Sequence, residues 1–195
     1  MFQSKLDYLP IFLIISATYM IAFSASIYLL NPVLQQYFPN LTIYVSLFFL
    51  PHGVLVLSAW LWGWRSIPLI APVSLFAHWL NFGPSGFTDL SVVAAISGVI
   101  CAAFSFWVFS KCGMDFRVSN KKTNHWGDVL ITGCFASILN TVGMRIIFGH
   151  EVPTLLGYLI GDISGMFGCM FFLMLAFMAW RNVRCRLLRL VHNFL

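Results

Sequence analysis

Charge is what this chain has least of. Asp, Glu, Lys and Arg make up 9% of its 195 residues, and six of these are acidic. An ordinary soluble domain carries about 25% charged residues, so a soluble globular fold is excluded at the outset. No pair of carboxylates stands at a useful spacing for acid–base work, and there is no GxSxG, HExxH or phosphate-binding loop, so no enzymatic activity is expected. The five cysteines, Cys101, Cys112, Cys134, Cys169 and Cys185, are odd in number and include no CxxC pair. They read as free, small apolar fillers and not as a disulfide framework. Without HxxxH or CxxC, neither a metal site nor a cofactor is expected.

Hydrophobic residues fill the gap, at 60% of the chain. They fall into apolar stretches near 20 residues long, the length that crosses a bilayer as helix. The expected spans run over Ile11–Leu30, Thr42–Gly63, Ile67–Phe82, Leu90–Phe109, Val129–Phe148 and Pro153–Trp180. The fold class is therefore all-α, a polytopic bundle of six transmembrane helices over residues 1–180. Residues 181–195 are expected to form a basic amphipathic tail. Asn31-Pro32 and Pro39-Asn40 bracket an expected loop, and Trp64-Arg65-Ser66 a tight hairpin turn. Trp60, Trp62 and Trp64 are expected in an interfacial belt.

The net charge of +5 sits in loops and tail, where it sets topology and touches anionic headgroups instead of nucleic acid. With both termini inside, Lys5, Arg65, Lys111, Arg117, Lys121, Lys122, Arg181, Arg184, Arg186 and Arg189 face one side. Arg145 alone faces the other. The positive-inside bias predicts this segregation. Arg65, Lys121, Lys122 and the tail arginines Arg181, Arg184, Arg186 and Arg189 are the expected membrane-surface residues, with docking of a cytoplasmic partner as the alternative.

Polar groups inside the spans are few. Leu50-Pro51-His52-Gly53-Val54 sets a proline, an imidazole and a glycine within the second span. Pro51 frees the carbonyl of Leu47 and Gly53 loosens the same turn, so this span is expected to be kinked or broken there. At about 1.5 Å per residue, His52 lies about 15 Å from the outer surface, His78 about 6 Å and Asp162 about 14 Å, with Asn140 level with Asp162. An ionisable group at such depth needs shelter and a partner. His52, His78, Asn140 and Asp162 are therefore expected to share an outward-facing polar pocket. For His52 a carbonyl freed by Pro51, a bound ligand and a transferred proton all remain open. Asp162 is expected to pair with His52, His78 or Arg145. Gly157, Gly161 and Gly165, four residues apart, offer a smooth packing face, with Ala94, Gly98 and Ala102 as a matching surface. His125, His150 and His192 read as loop or tail residues.

Two segments resemble a known family. Leu50-Pro51-His52-Gly53-Val54 through Gly63-Trp64-Arg65-Ser66-Ile67-Pro68 resembles the W-P-x-x-G … G-x-R-x-W-P signature of bacterial membrane-associated sensor domains of the MASE type. Leu159-Ile160-Gly161-Asp162-Ile163-Ser164-Gly165 resembles that family's L-G-D-x-x-G element. The resemblance implies a six-span input module of a bacterial inner membrane. Those sensors carry a cytoplasmic output domain, and this sequence runs to Leu195 without one, so a separate signalling partner is expected. The expected function is sensing of a small amphipathic ligand or of protons. The alternatives are a substrate-binding subunit of a vitamin-type transporter and a structural assembly factor. An oligomer is compatible with all three.

Overall fold

In the computed structural model, the described residues are 8–37, 47–84, 87–118 and 125–193, and they contain helices and turns but no strand. The helices are α1 (Tyr8–Ser24), α2 (Asn31–Tyr37), α3 (Leu50–Trp62), α4 (Ser66–Phe82), α5 (Asp89–Lys111), α6 (Trp126–Phe148) and α7 (Val152–Asn193). Five stretches are long and apolar enough to cross a membrane: Tyr8–Tyr37, Leu50–Phe82, Asp89–Lys111, Trp126–Phe148 and Val152–Arg181. The chain is a multi-pass bundle of membrane helices. Its outer faces carry large apolar side chains such as Ile146, Phe172, Phe177 and Trp180, as lipid contact requires.

The Leu50–Phe82 stretch folds back on itself. Leu50 N–H donates to Ser26 Oγ at 2.9 Å, Arg65 lies 3.4 Å from the hydroxyl of Tyr8, and Tyr19 OH reaches Ser74 Oγ at 3.3 Å. Hence α3 runs against α1 and α4 runs with it. The reversal is made at Gly63, whose φ of 55° lies in the left-handed region, where a side chain is strained. The turn expected at Trp64-Arg65-Ser66 is thus present.

Two local expectations need correction. First, Asn31-Pro32 does not open a loop. Ala25–Leu30 forms a π turn in which Asn31 N–H donates to Ser26 O, five residues back, and helix resumes through Tyr37. The wider turn is one of the few devices that carry a helix past a proline. It also presents the fully buried Ser26 side chain to the start of α3. Secondly, α7 packs mainly against α3 and α6, and Gly98 of α5 faces Asn140 of α6. The pairing of Gly157, Gly161 and Gly165 with Ala94, Gly98 and Ala102 does not occur among the described residues.

The glycines of α7 receive a different guest. Residues 47–49 are not helical, and α3 begins at Leu50, so Pro51 occupies the first turn, where a missing N–H leaves no gap in the ladder. The non-helical segment 47–49 lies just ahead of Pro51, and residues 42–46, where this span was expected to begin, lie outside the described residues. The segment is stitched to α7: Phe49 N–H donates to Gly161 O at 2.9 Å, and Ser164 Oγ donates to Leu47 O at 2.5 Å. A Cβ on Gly165 would stand 2.1 Å from Phe49 O. Gly53 serves the same contact from the other side, since a Cβ there would meet Cys169 Cβ at 2.4 Å.

At one end of the bundle, Arg117 bonds Asp115 and Ser110, and Asp115 pushes the guanidinium pKa further up. Arg65 and Arg181 are exposed. Lys121 and Lys122 lie outside the described residues, as do the side chains of Arg184, Arg186 and Arg189. α7 is a single helix of 42 residues, so no helix break marks the expected boundary at residue 181.

Because the atom facing Gly165 is backbone, it cannot step aside. Gly165→Ala is expected to cost about 1–3 kcal/mol through overpacking, whereas Gly127→Ala, with nothing within 4 Å, is expected to be near neutral. Thermal unfolding of the two variants in the same detergent checks the contrast.

Candidate functional site

The break ahead of α3 turns His52 into the middle of the bundle, where it is 1% exposed. Three helices meet there. His52 Nδ1 lies 3.6 Å from Asp162 Oδ2 of α7. Asn140 of α6 donates from Nδ2 to that same oxygen at 2.8 Å. On the other edge of the ring, His52 Nε2 stands 3.0 Å from Ser137 Oγ and 3.5 Å from Gly133 O. Ser137 Oγ is also 3.0 Å from Gly133 O.

Proton counting restricts this network. Ser137 has one hydroxyl proton. If it goes to Gly133 O, Nε2 must carry a hydrogen; if it goes to Nε2, Nδ1 carries the hydrogen. A bare Nδ1 lone pair facing a bare carboxylate oxygen would be repulsive, so a proton belongs between them in either case. The 3.6 Å separation exceeds a formed hydrogen bond, so closure of that gap is a small motion available to the pair.

Of the four residues expected to meet, His52, Asn140 and Asp162 do so. His78 does not join them: its ring lies beside Phe82, with centroids 4.7 Å apart, and its Nε2 is buried without a hydrogen-bond partner. All four nevertheless line one cavity of about 670 Å³. The cavity runs from His52 and Asp162 to the helix ends at Asn31, Phe82, Thr88 and Phe148, away from Arg65 and Arg117. Beneath it the bundle is closed by the fully buried Val56, Ile70, Phe106, Val129 and Met166. Arg145 is not Asp162's partner; it caps α6 by donating to the carbonyls of Gly149 and His150.

The carbonyl expected to receive His52 was that of Leu47, but Ser164 takes it. Ser137 was missed. Its signal is the spacing Gly133, Ser137, Asn140, which lays two polar side chains and a gap on one stripe of α6. His150 was also missed: it stacks on Phe148 at 5.2 Å and lines the cavity mouth. Nothing in its sequence context distinguishes it from a loop histidine.

No protein-family model, curated protein or solved structure matches the chain.

Removing one member of this buried polar network leaves its partner unmatched, at a cost of about 1–3 kcal/mol. His52→Ala is expected to fall in that range. In the double variant His52→Ala/Asp162→Asn the stranded carboxylate is gone, so its loss of stability should be smaller than the sum of the two single losses. A double-mutant cycle on thermal midpoints in detergent measures the difference.

Proposed function

We propose that the protein is a six-span, sensor-type module of a bacterial inner membrane, binding a small amphipathic ligand in the cavity above His52 and Asp162. The observation that carries this reading is the site's composition: mostly apolar walls converge on a few buried polar groups, and close packing follows below. Pockets that bind small molecules are built in this way. An assembly factor needs packing but has no use for a cavity. A dead-ended cavity favours reception over a conducting path, and a transporter's substrate-binding subunit is the second reading on the same observation. The resemblance to MASE-type sensors in Leu50–Val54 and Leu159–Gly165 supports the first.

In this reading, ligand capture alters the His52–Asp162 gap. That gap bridges α3 and α7, which are also joined by the Phe49–Gly161 and Ser164–Leu47 bonds. A change in it biases the seating of the break on α7 and is carried inward by the turn at Arg65 and by α7 itself. Arg65, Lys121, Lys122, Arg181, Arg184, Arg186 and Arg189 then lie at the inner surface against anionic headgroups, beside a separate signalling partner.

Two experiments test this. Asp162→Asn keeps the shape of the side chain and still accepts from Asn140, so it should fold. Mass spectrometry of small molecules extracted from the purified wild-type protein should reveal an amphipathic compound depleted at least tenfold in that variant; identical extracts would refute the pocket reading. For topology, a cysteine at Thr88 should react with an impermeant maleimide on intact cells, and one at His125 only after permeabilisation. The reverse pattern would overturn the proposed orientation.

A further inference from the structure

The polar floor of the cavity is one-sided in its chemistry. Asp162 Oδ2 takes both the Asn140 bond and the His52 contact, which leaves Oδ1 with no described partner. Asn140 is nine-tenths buried, and its Oδ1 is buried without a hydrogen-bond partner. The amide orientation is set by the carboxylate: Nδ2 must face Asp162, so Oδ1 must face away, toward Gly98. There it is closed off against α5. That leaves Asp162 Oδ1, on a residue that lines the cavity, as the acceptor with no described partner, and an acceptor left unmatched is costly.

The remaining walls point the same way. Among the described lining residues there is no Lys or Arg, and Asp162 is the one carboxylate. Tyr19, Phe23, Phe49, Phe82, Phe148 and Tyr158 contribute aromatic rings, whose faces attract cations and repel anions. The nearby guanidinium, Arg145, is engaged with carbonyls of its own helix end. An anionic ligand would meet the Asp162 carboxylate on the floor, with the imidazoles of His52, His78 and His150 as the sole groups on the described lining able to carry positive charge. An alcohol brings one O–H but no charge to match the carboxylate. A protonated amine brings a positive charge and two or three N–H donors on one atom.

We propose that the cavity takes an organic ammonium: a primary or secondary amine on an apolar, aromatic-compatible body, with an N–H group on Asp162 Oδ1. This rests on the pocket reading above and narrows it to one ligand class.

The test uses four probes of one shape, 4-phenylbutylamine, its N,N,N-trimethylammonium derivative, 4-phenylbutanol and 4-phenylbutyrate, on the purified full-length protein. Dissociation constants come from intrinsic tryptophan fluorescence and thermal shift. The amine should bind at least tenfold more tightly than the alcohol, and the carboxylate should bind worst. The quaternary probe, which keeps the charge but has no N–H, should fall at least threefold below the amine. In Asp162→Asn the amine's advantage over the alcohol should vanish while alcohol binding persists. Ala95→Phe, which fills the cavity wall, should weaken all four. Equal binding of amine and alcohol, or tighter binding of the carboxylate, overturns the ammonium assignment and leaves the pocket reading standing, provided Ala95→Phe abolishes that binding. If no probe binds, or if Ala95→Phe leaves binding unchanged, the pocket reading falls and takes this assignment with it.

Discussion

Backbone that is not helical cannot be left bare in lipid, and the segment at residues 47–49 is the place where this chain meets that constraint. Its solution is contact with α7. Gly161 supplies an acceptor for Phe49 N–H, Ser164 a donor for Leu47 O, and Gly165 the space for a peptide group to sit against the helix. The π turn of the first stretch adds Ser26 as a cap for Leu50. Every other feature of the site follows from that docking. Starting α3 at Leu50 puts His52 on its first turn, facing inward, and close seating on α7 brings Asp162 within 3.6 Å of it.

The same arrangement explains why the polar groups lie together without forming a rigid salt bridge. Asn140 holds one carboxylate oxygen, while Ser137 and Gly133 hold the far edge of the imidazole. The ring and the carboxylate are each anchored on the side away from the other, and the gap between them is set by how α3, α6 and α7 pack. A group placed in the cavity acts directly on that gap, since all three side chains border it. Packing and site are one problem here, which is why substitutions at the glycines and at the network should both register in stability.

Much of the architecture was legible because bilayer thickness imposes a length and lipid imposes a composition. Apolar run length located the membrane-crossing stretches, and helical rise placed Asn140 and Asp162 at one depth. The cost of proline inside a helix suggested a kink within the second span; among the described residues Pro51 instead stands in the first turn of α3, where it interrupts no helical bond. What could not be read is the choice of neighbours. A repeat of glycines says that something packs closely, and it does not say what. The partner turned out to be an irregular peptide and not another small-residue helix. His78 lines the same cavity without joining the network, a distinction that depth along a helix does not make, because depth says nothing about azimuth. Pro32 was misleading because a π turn absorbs it, and local composition carries little sign of that device.

The uninterrupted course of α7 has a mechanical corollary. Asp162 and Arg181 lie on one helix, 19 residues apart, about 28 Å at about 1.5 Å of rise per residue. A helix of that length, without a proline or a break between those points, is stiff along its axis and does not stretch or fold under modest load. The carboxylate end and the arginine end consequently cannot shift independently. A tilt of the upper half therefore carries the lower half with it, as one end of a lever carries the other.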